Sequence, residues 1–297
     1  MYQSDIIKKL KRINMIPTFP DVVKTLTSIL ENPLASASTL VPYLDPSTGS
    51  EILRVANTAY FGSKSFRNIN TIEHAIAVIG FEHLSYILLQ MPFLSLIEPD
   101  STFAKKEFIK HTFTCAAFSK ILSSFLYLAN PNETYMAGML HDIGIIIMYS
   151  HFREEWDRIV YIIKSEKKYR LQAEKEVLGL DHGYMGGLFL NLWNIPEPIV
   201  ESVMFHHEIE SSKIYRDYTF VVNIANSLSN KLKLTENINS FDDFFKCYGE
   251  SLSFLPDNEK RLIIHKTPLY ENLYNQLIEI NNYVENKGEK NDQGTCC

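Results

Sequence analysis

Apolar residues in this chain recur at steps of three and four, and hardly anywhere in strict alternation. Leu84, Ile87, Leu88, Met91 and Leu94 carry the pattern through Glu82–Leu96, and His111, Cys115, Phe118, Leu122 and Phe125 repeat it over 105–128. Side chains spaced this way stack along one side of an α-helix, so each segment builds a helix with a buried face. Strand-like alternation is rare, and only 12 of the 297 residues are glycine, which argues against a turn-dense β fold. The fold class is therefore all-α. Further helices are expected near 20–31, 36–43, 48–58, 71–80, 134–149, 152–167, 170–178, 182–192, 197–208, 217–233 and 258–286. Pro92 should bend or interrupt the 82–96 helix. Pro196 and Pro198 suit the first turn of the helix that reaches His206, and Asp181 is placed to cap the helix beginning at His182.

Hydrophobic residues make up 45% of the chain, enough for a sizeable core. A net charge of -6 offers no general attraction to a phosphate backbone, so nucleic acid is not an expected partner. Cys115, Cys247, Cys296 and Cys297 form no CxxC pair, which fits a reduced, cytoplasmic protein and not a disulfide framework. Met1 is followed by the polar Tyr2, Gln3, Ser4 and Asp5, so no leader is expected. The longest apolar stretch, Leu84 to Ile97, is too short for a membrane span and contains Gln90 and Pro92. The histidine-poor first third sets off a helical lobe over 1–100 from a histidine-rich lobe over 101–235. A helical extension over 236–286 and a polar, disordered tail over 287–297 follow. The basic run Lys8, Lys9, Lys11 and Arg12 and the acidic pair Asp242–Asp243 are read as solvated faces.

The chemistry lies in the histidines. Of nine, His111, His141, His182, His206 and His207 fall on the apolar sides of their expected helices, and Asp142 directly follows His141. His141 shares its face with Ala137, Gly144 and Met148, His182 with Met185, Gly186 and Phe189, and His206 with Val203 and Ile199. An unpaired buried polar group costs roughly 1–3 kcal/mol, so a lone core histidine ordinarily finds one hydrogen bond and does nothing more. Five such histidines with an adjacent aspartate form a different pattern. Neutral imidazoles and a carboxylate are the ligands that iron, manganese, zinc or nickel take. His74, His83, His151 and His265 lie outside this set and are assigned ordinary surface or core duty. No GxSxG, P-loop or GxGxxG occurs, so no nucleophile elbow or phosphate loop competes with the metal reading.

Met139-Leu140-His141-Asp142-Ile143-Gly144 resembles the signature of the HD metallohydrolase superfamily. The first third narrows the resemblance to its HDOD branch, related to HD-GYP domains. Ile16-Pro17-Thr18-Phe19-Pro20 is similar to the paired-proline opening of that branch. Leu44-Asp45-Pro46, Leu53-Arg54-Val55-Ala56-Asn57 and Phe61-Gly62 resemble its next signature, and Ile72 with Ala75–Gly80 the one after. The likeness covers about residues 10–235. It implies an all-helical fold with an N-terminal lobe and a C-terminal HD-like lobe, and a metal pair held by His111, His141, Asp142, His182, His206 and His207. By the same resemblance Glu107, one turn before His111, fits a carboxylate ligand of three-metal relatives. The late aspartate of the superfamily falls at Asn226, whose neutral amide holds a cation less tightly. Ile145 stands where active relatives often carry lysine, and no GYP segment follows His206–His207, which argues against cyclic-di-GMP hydrolysis.

Three functions follow from this reading. The first is a bacterial signal-transduction protein that binds partner proteins, with a di-metal site in a regulatory role. The second is a metal-dependent phosphohydrolase of a nucleotide or other phosphoester, with two divalent ions, iron before manganese or zinc, and Asp142 as the candidate catalytic residue. The third is redox or oxygen sensing at a di-iron pair.

Overall fold

A computed structural model describes residues 3–13, 103–234 and 271–278, with scattered positions between 25 and 88. The helices run α1 (Gln3–Leu10), α2 (Lys105–Leu126), α3 (Pro131–Leu140), α4 (Ile143–His151), α5 (Arg153–Glu166), α6 (Arg170–Leu178), α7 (His182–Leu192), α8 (Glu197–Phe205) and α9 (Arg216–Leu234). A 3-10 turn, Ile209–Ser211, joins α8 to α9. No strand occurs among the described residues, and the architecture is all-α, as the three-and-four spacing requires. The expected helices near 20–31, 36–43 and 82–96 lie almost wholly outside the described residues, as do most of 258–286 and the tail from 287.

Helix α2 lies between two apolar clusters. Phe108, Phe113 and Ala116 on one side join the main core, while Cys115, Phe118 and Leu122 join a second cluster. That second cluster takes Val221, Ile224 and Leu228 from α9, and Leu273 and Leu277 from the helical residues 271–278. A side chain such as Phe118, fully buried, contributes about 1.5–3 kcal/mol, so a helix buried on two sides anchors everything packed on it. The main core also takes Ile6, Leu10, Ile52, Ala75 and Leu84 from the first 100 residues. Lys9 of the basic run lies 4.2 Å over the Phe152 ring, so one of those cations packs against the lobe.

The sequence spacing predicts one helix over 134–149, and the structure differs. The Asn130 side chain accepts from the Asn132 and Glu133 amides at 2.9 and 3.4 Å, and Pro131 opens α3 three residues earlier. The run then breaks at His141–Asp142. Asp142, at φ -98 and ψ 11, leaves the helical region, and α4 begins at the next residue. Apolar periodicity continues through the break because both short helices are buried on nearly every side, so the pattern alone cannot reveal it. Elsewhere local chemistry holds as expected. The Asp181 side chain accepts from the Tyr184 amide at 2.9 Å, and Pro196 and Pro198 open α8.

Gly144 explains how close α4 and α7 come. A methyl group there would run into the His182 carbonyl oxygen and stand 2.9 Å from the Gly186 nitrogen, both backbone atoms that cannot rotate away. Gly144→Ala should therefore force the two helices apart and cost about 3 kcal/mol or more, at the upper end of overpacking effects. Urea denaturation of the two proteins checks this.

Candidate metal centre

Every residue of the set sits where a helix begins, ends or crosses its neighbours. His111 lies on α2 where α9 crosses it, its carbonyl accepting from Ser229 Oγ at 3.1 Å. His141 ends α3, Asp142 precedes α4, His182 is the first residue of α7, and His206 ends α8 with His207 beside it. Helix ends leave backbone groups unbonded, and the chain uses them twice in the same way. His141 Nδ1 lies 2.8 Å from the Gly138 carbonyl and His206 Nδ1 lies 2.7 Å from the Val203 carbonyl, in each case three residues earlier. Asn223 Nδ2 donates to the His206 carbonyl at 2.7 Å and ties α8 to α9.

Six of the expected ligands meet. His111 Nε2 and His141 Nε2 are 3.1 Å apart, and each is 3.3 Å from Asp142 Oδ2. Asp142 Oδ1 faces the other way, 3.1 Å from His182 Nε2 and 3.9 Å from His206 Nε2. His207 Nε2 completes that side at 2.9 Å from His182 Nε2. Within His111, His141 and Asp142, and again within His182, His206 and His207, one ligand atom per residue lies within 4.8 Å of the others. Two donors about 2.1 Å from one ion, at angles of about 90–110°, stand about 3.0–3.4 Å apart, close to the spacings within His111, His141 and Asp142 and between His182 and His207.

Tautomers decide whether a cation fits. A carbonyl or carboxylate can only accept, so the Nδ1 atoms of His141, His182 and His206 carry the hydrogen, His182 donating to Glu174 Oε2 at 2.7 Å. In the neutral rings the Nε2 lone pairs then point at one another and at a carboxylate. His206 Nε2 is buried with no hydrogen-bond partner. Lone pairs converging on a buried anion need positive charge between them, supplied by protons or by metal.

The titration behaviour follows. Burial disfavours charge on His141, but the Asp142 carboxylate outweighs it and raises the imidazole well above its usual range. Burial likewise opposes ionised Asp142, yet His141 and the hydrogen bonds from His111 and His182 hold it well below its usual range. His182, pulled down by burial and up by Glu174 and Asp142, is raised to about 10. His207 is lowered to about 3 by burial and by the charge of His182, and His206 is lowered by burial and its three neighbouring histidines.

Glu174 is the residue that sequence reasoning misses. It is fully buried on α6, and its Oε2 accepts from both the backbone amide of His182, at 2.9 Å, and His182 Nδ1. It thus fixes the ring's tautomer and direction, the task of a carboxylate behind a ligand histidine. Its signal is a glutamate inside the apolar stripe Ala173, Val177 and Leu178. Glu107, by contrast, is exposed in the first turn of α2, outside both groups. Asn226 is buried on the wall of the same cavity, its Oδ1 accepting from Asn230 Nδ2 at 2.7 Å. Of the four histidines set aside, His74 is exposed and His151 bonds Ser150 Oγ at 2.6 Å, while His83 and His265 lie outside the described residues.

The two groups lie at the floor of a cavity of about 590 Å³. Phe103, Trp156 and Tyr169 line its sides with Lys164 and Arg170, and Ile145 lies near Asp142. Among the described residues no helix is long and apolar enough to cross a membrane.

Fold and site together define an all-helical protein with two histidine–aspartate groups able to take metal. The HDOD domain model matches residues 16–209, more than half of the sequence, and the chain belongs to the HDOD family. An HDOD domain protein of unknown function from Geobacter sulfurreducens superposes with a TM-score of 0.63 at 21% identity, covering 95% of this chain and 98% of that one. A Shewanella amazonensis protein provisionally named a phosphohydrolase gives 0.63 at 18%, covering 92% and 99%. A Marinobacter aquaeolei protein provisionally named a signal transduction protein gives 0.62 at 13%, covering 91% and 59%. At these identities the likeness is one of fold. An uncharacterized Treponema pallidum protein is 21% identical over 220 residues, 72% of this chain, which spans 42% of that relative's length.

Two outcomes follow for metal binding. Glu174→Ala should weaken it about 10–100-fold, as loss of a carboxylate behind a ligand histidine does, measured by equilibrium dialysis against manganese(II). His182 keeps its proton until about pH 10 in the metal-free cluster, so an ion must displace it. Binding should release protons and tighten about tenfold per pH unit for each proton displaced across pH 6–8. Calorimetry in buffers of different ionisation enthalpy counts those protons.

Proposed function

We propose that this chain holds two divalent ions, one in each histidine group with Asp142 shared between them, and hydrolyses a phosphoester in a signalling setting. The observation that carries the reading is the two-sided aspartate. Its Oδ2 belongs to His111 and His141, and its Oδ1 to His182 and His206, at the floor of an open cavity. Sites that only brace a fold are closed by protein ligands, whereas sites that act on substrate leave a side open. A metal pair in such a site supplies a hydroxide nucleophile at neutral pH and Lewis acidity toward phosphate oxygens. Imidazole and carboxylate donors suit iron first, with manganese or zinc as alternatives. Asp142 would orient the nucleophile, and Lys164 and Arg170 would draw the anionic substrate toward the floor. Glu107, exposed one turn before His111, stays a candidate for a third ion.

A regulatory reading without turnover has its own support. Ile145 lines the cavity where a protonated side chain would assist a leaving group, and Asn226 places a neutral amide on the wall. In that reading the metal state alone is read out by partner signalling proteins.

A panel of phosphoesters with iron(II) or manganese(II) separates the two. Turnover that falls more than about 100-fold in His141→Ala, beyond the loss for an outer partner, is the expected result. Full metal loading with no turnover on any ester would leave the regulatory reading in possession.

A further inference from the structure

The two ligand groups are poor in charge. Among the described residues, five neutral imidazoles and one carboxylate, Asp142, make up both. Glu174 contributes a second negative charge from behind His182, but Arg170 Nη1 faces its Oε1 at 3.7 Å. No acid other than Asp142 lines the cavity among the described residues, whereas Lys164 and Arg170 both do. Asn226, buried on the same wall, brings an amide and no charge. Two divalent ions would bring four positive charges against at most two negative ones from the protein, and a hydroxide between them would add only one more. At the roughly 3.5–4 Å separation of such pairs, the ions repel strongly unless an anion lies between them.

Two buried polar atoms point the same way. His206 Nε2 and Arg170 Nη1 are buried and have no hydrogen-bond partner. The first is an electron-pair donor for a cation on the floor, and the second, 3.7 Å from Glu174 Oε1, keeps the Arg170 charge beside the cavity an anion would enter. The cavity, lined by Arg170 and by His182 and His207 beside His206, has room for a phosphate group and an organic part, with Phe103, Trp156 and Tyr169 along its wall.

Building on the two-ion reading, we infer that the second ion and a phosphate-bearing anion bind as a unit. The anion supplies the negative charge that the protein's own ligand set lacks, so each tightens the other. Linkage requires the effect to be reciprocal: phosphate strengthens the weaker ion by the same factor as the ion strengthens phosphate. A centre of this kind rests in a one-ion state and becomes complete only when its ligand arrives.

The test is the manganese(II) stoichiometry of the full chain by equilibrium dialysis at matched free metal, with His141→Ala as the blank. Three conditions are compared: no added anion, inorganic phosphate, and phenylphosphonate, an analogue that cannot be hydrolysed. One ion per chain without anion and two with it is the expected result, the weaker ion tightening about 5–150-fold, the span of ordinary site-to-site coupling. Equal coupling by both anions assigns the effect to the phosphate group alone, and stronger coupling by phenylphosphonate assigns part of it to the aromatic wall. Asn226→Asp restores a negative charge and should take two ions without phosphate, its fold being checked by circular dichroism. Should that variant fail to fold, calorimetric titration of phosphate into wild type with and without manganese(II) reads the same coupling from the other side. Two ions irrespective of anion would overturn the inference and leave the two-ion reading standing. A single ion under every condition would overturn the coupling, and none under any would overturn the two-ion reading with it.

Discussion

The helices after residue 103 are organised around the need to hold one nearly buried carboxylate, Asp142, among the imidazoles of His111, His141, His182 and His206. Such a group is costly to bury, and its neighbours are oriented so that positive charge can sit between them. α3 and α4 are two helices because Asp142 has to leave the helical track to face both histidine groups. α3 and α8 stop where they do with a last-turn carbonyl available for His141 Nδ1 and His206 Nδ1. The C-terminal ends of those helices also carry partial negative charge, which favours a cation at the floor.

Packing and chemistry share atoms here. The His182 carbonyl that excludes any side chain at Gly144 belongs to the residue whose ring faces Asp142, so the α4–α7 contact fixes the backbone from which that ligand hangs. Glu174 binds both the amide and the ring of His182, which makes one carboxylate responsible for a helix start and a ligand's direction. On the far side, α2 lies between two apolar clusters, so His111 projects from the best-anchored helix of the lobe.

Much of this was legible in the sequence, for physical reasons that differ between residues. Helix α7 could be read to the residue because Asp181 caps it by a local hydrogen bond. His111, His141, His182 and His206 stood out as polar groups in apolar stripes, and the folded chain brings them together with Asp142 and His207. The break between α3 and α4 was not legible, because helices buried on all sides leave no polar face whose phase could slip. Glu174 escaped notice because a single glutamate in a short helix reads as solvated unless its partner, eight residues on, is already known to turn back onto it. Whether Glu107 and Asn226 reach an ion depends on side-chain direction, which spacing along a helix does not give.

The double grip of Glu174 on His182 has a kinetic side. The ring could not swing off a bound ion while its Nδ1 and the backbone amide beneath it are both held by a carboxylate that is itself fully buried on α6. Freeing the ligand would therefore mean breaking both hydrogen bonds of the Glu174 carboxylate to the first residue of α7. Residence of an ion on that side would then be timed by the release of Glu174 from His182 as well as by the breaking of a coordinate bond. Anything that holds Glu174 on His182 would lengthen that residence without touching the ion.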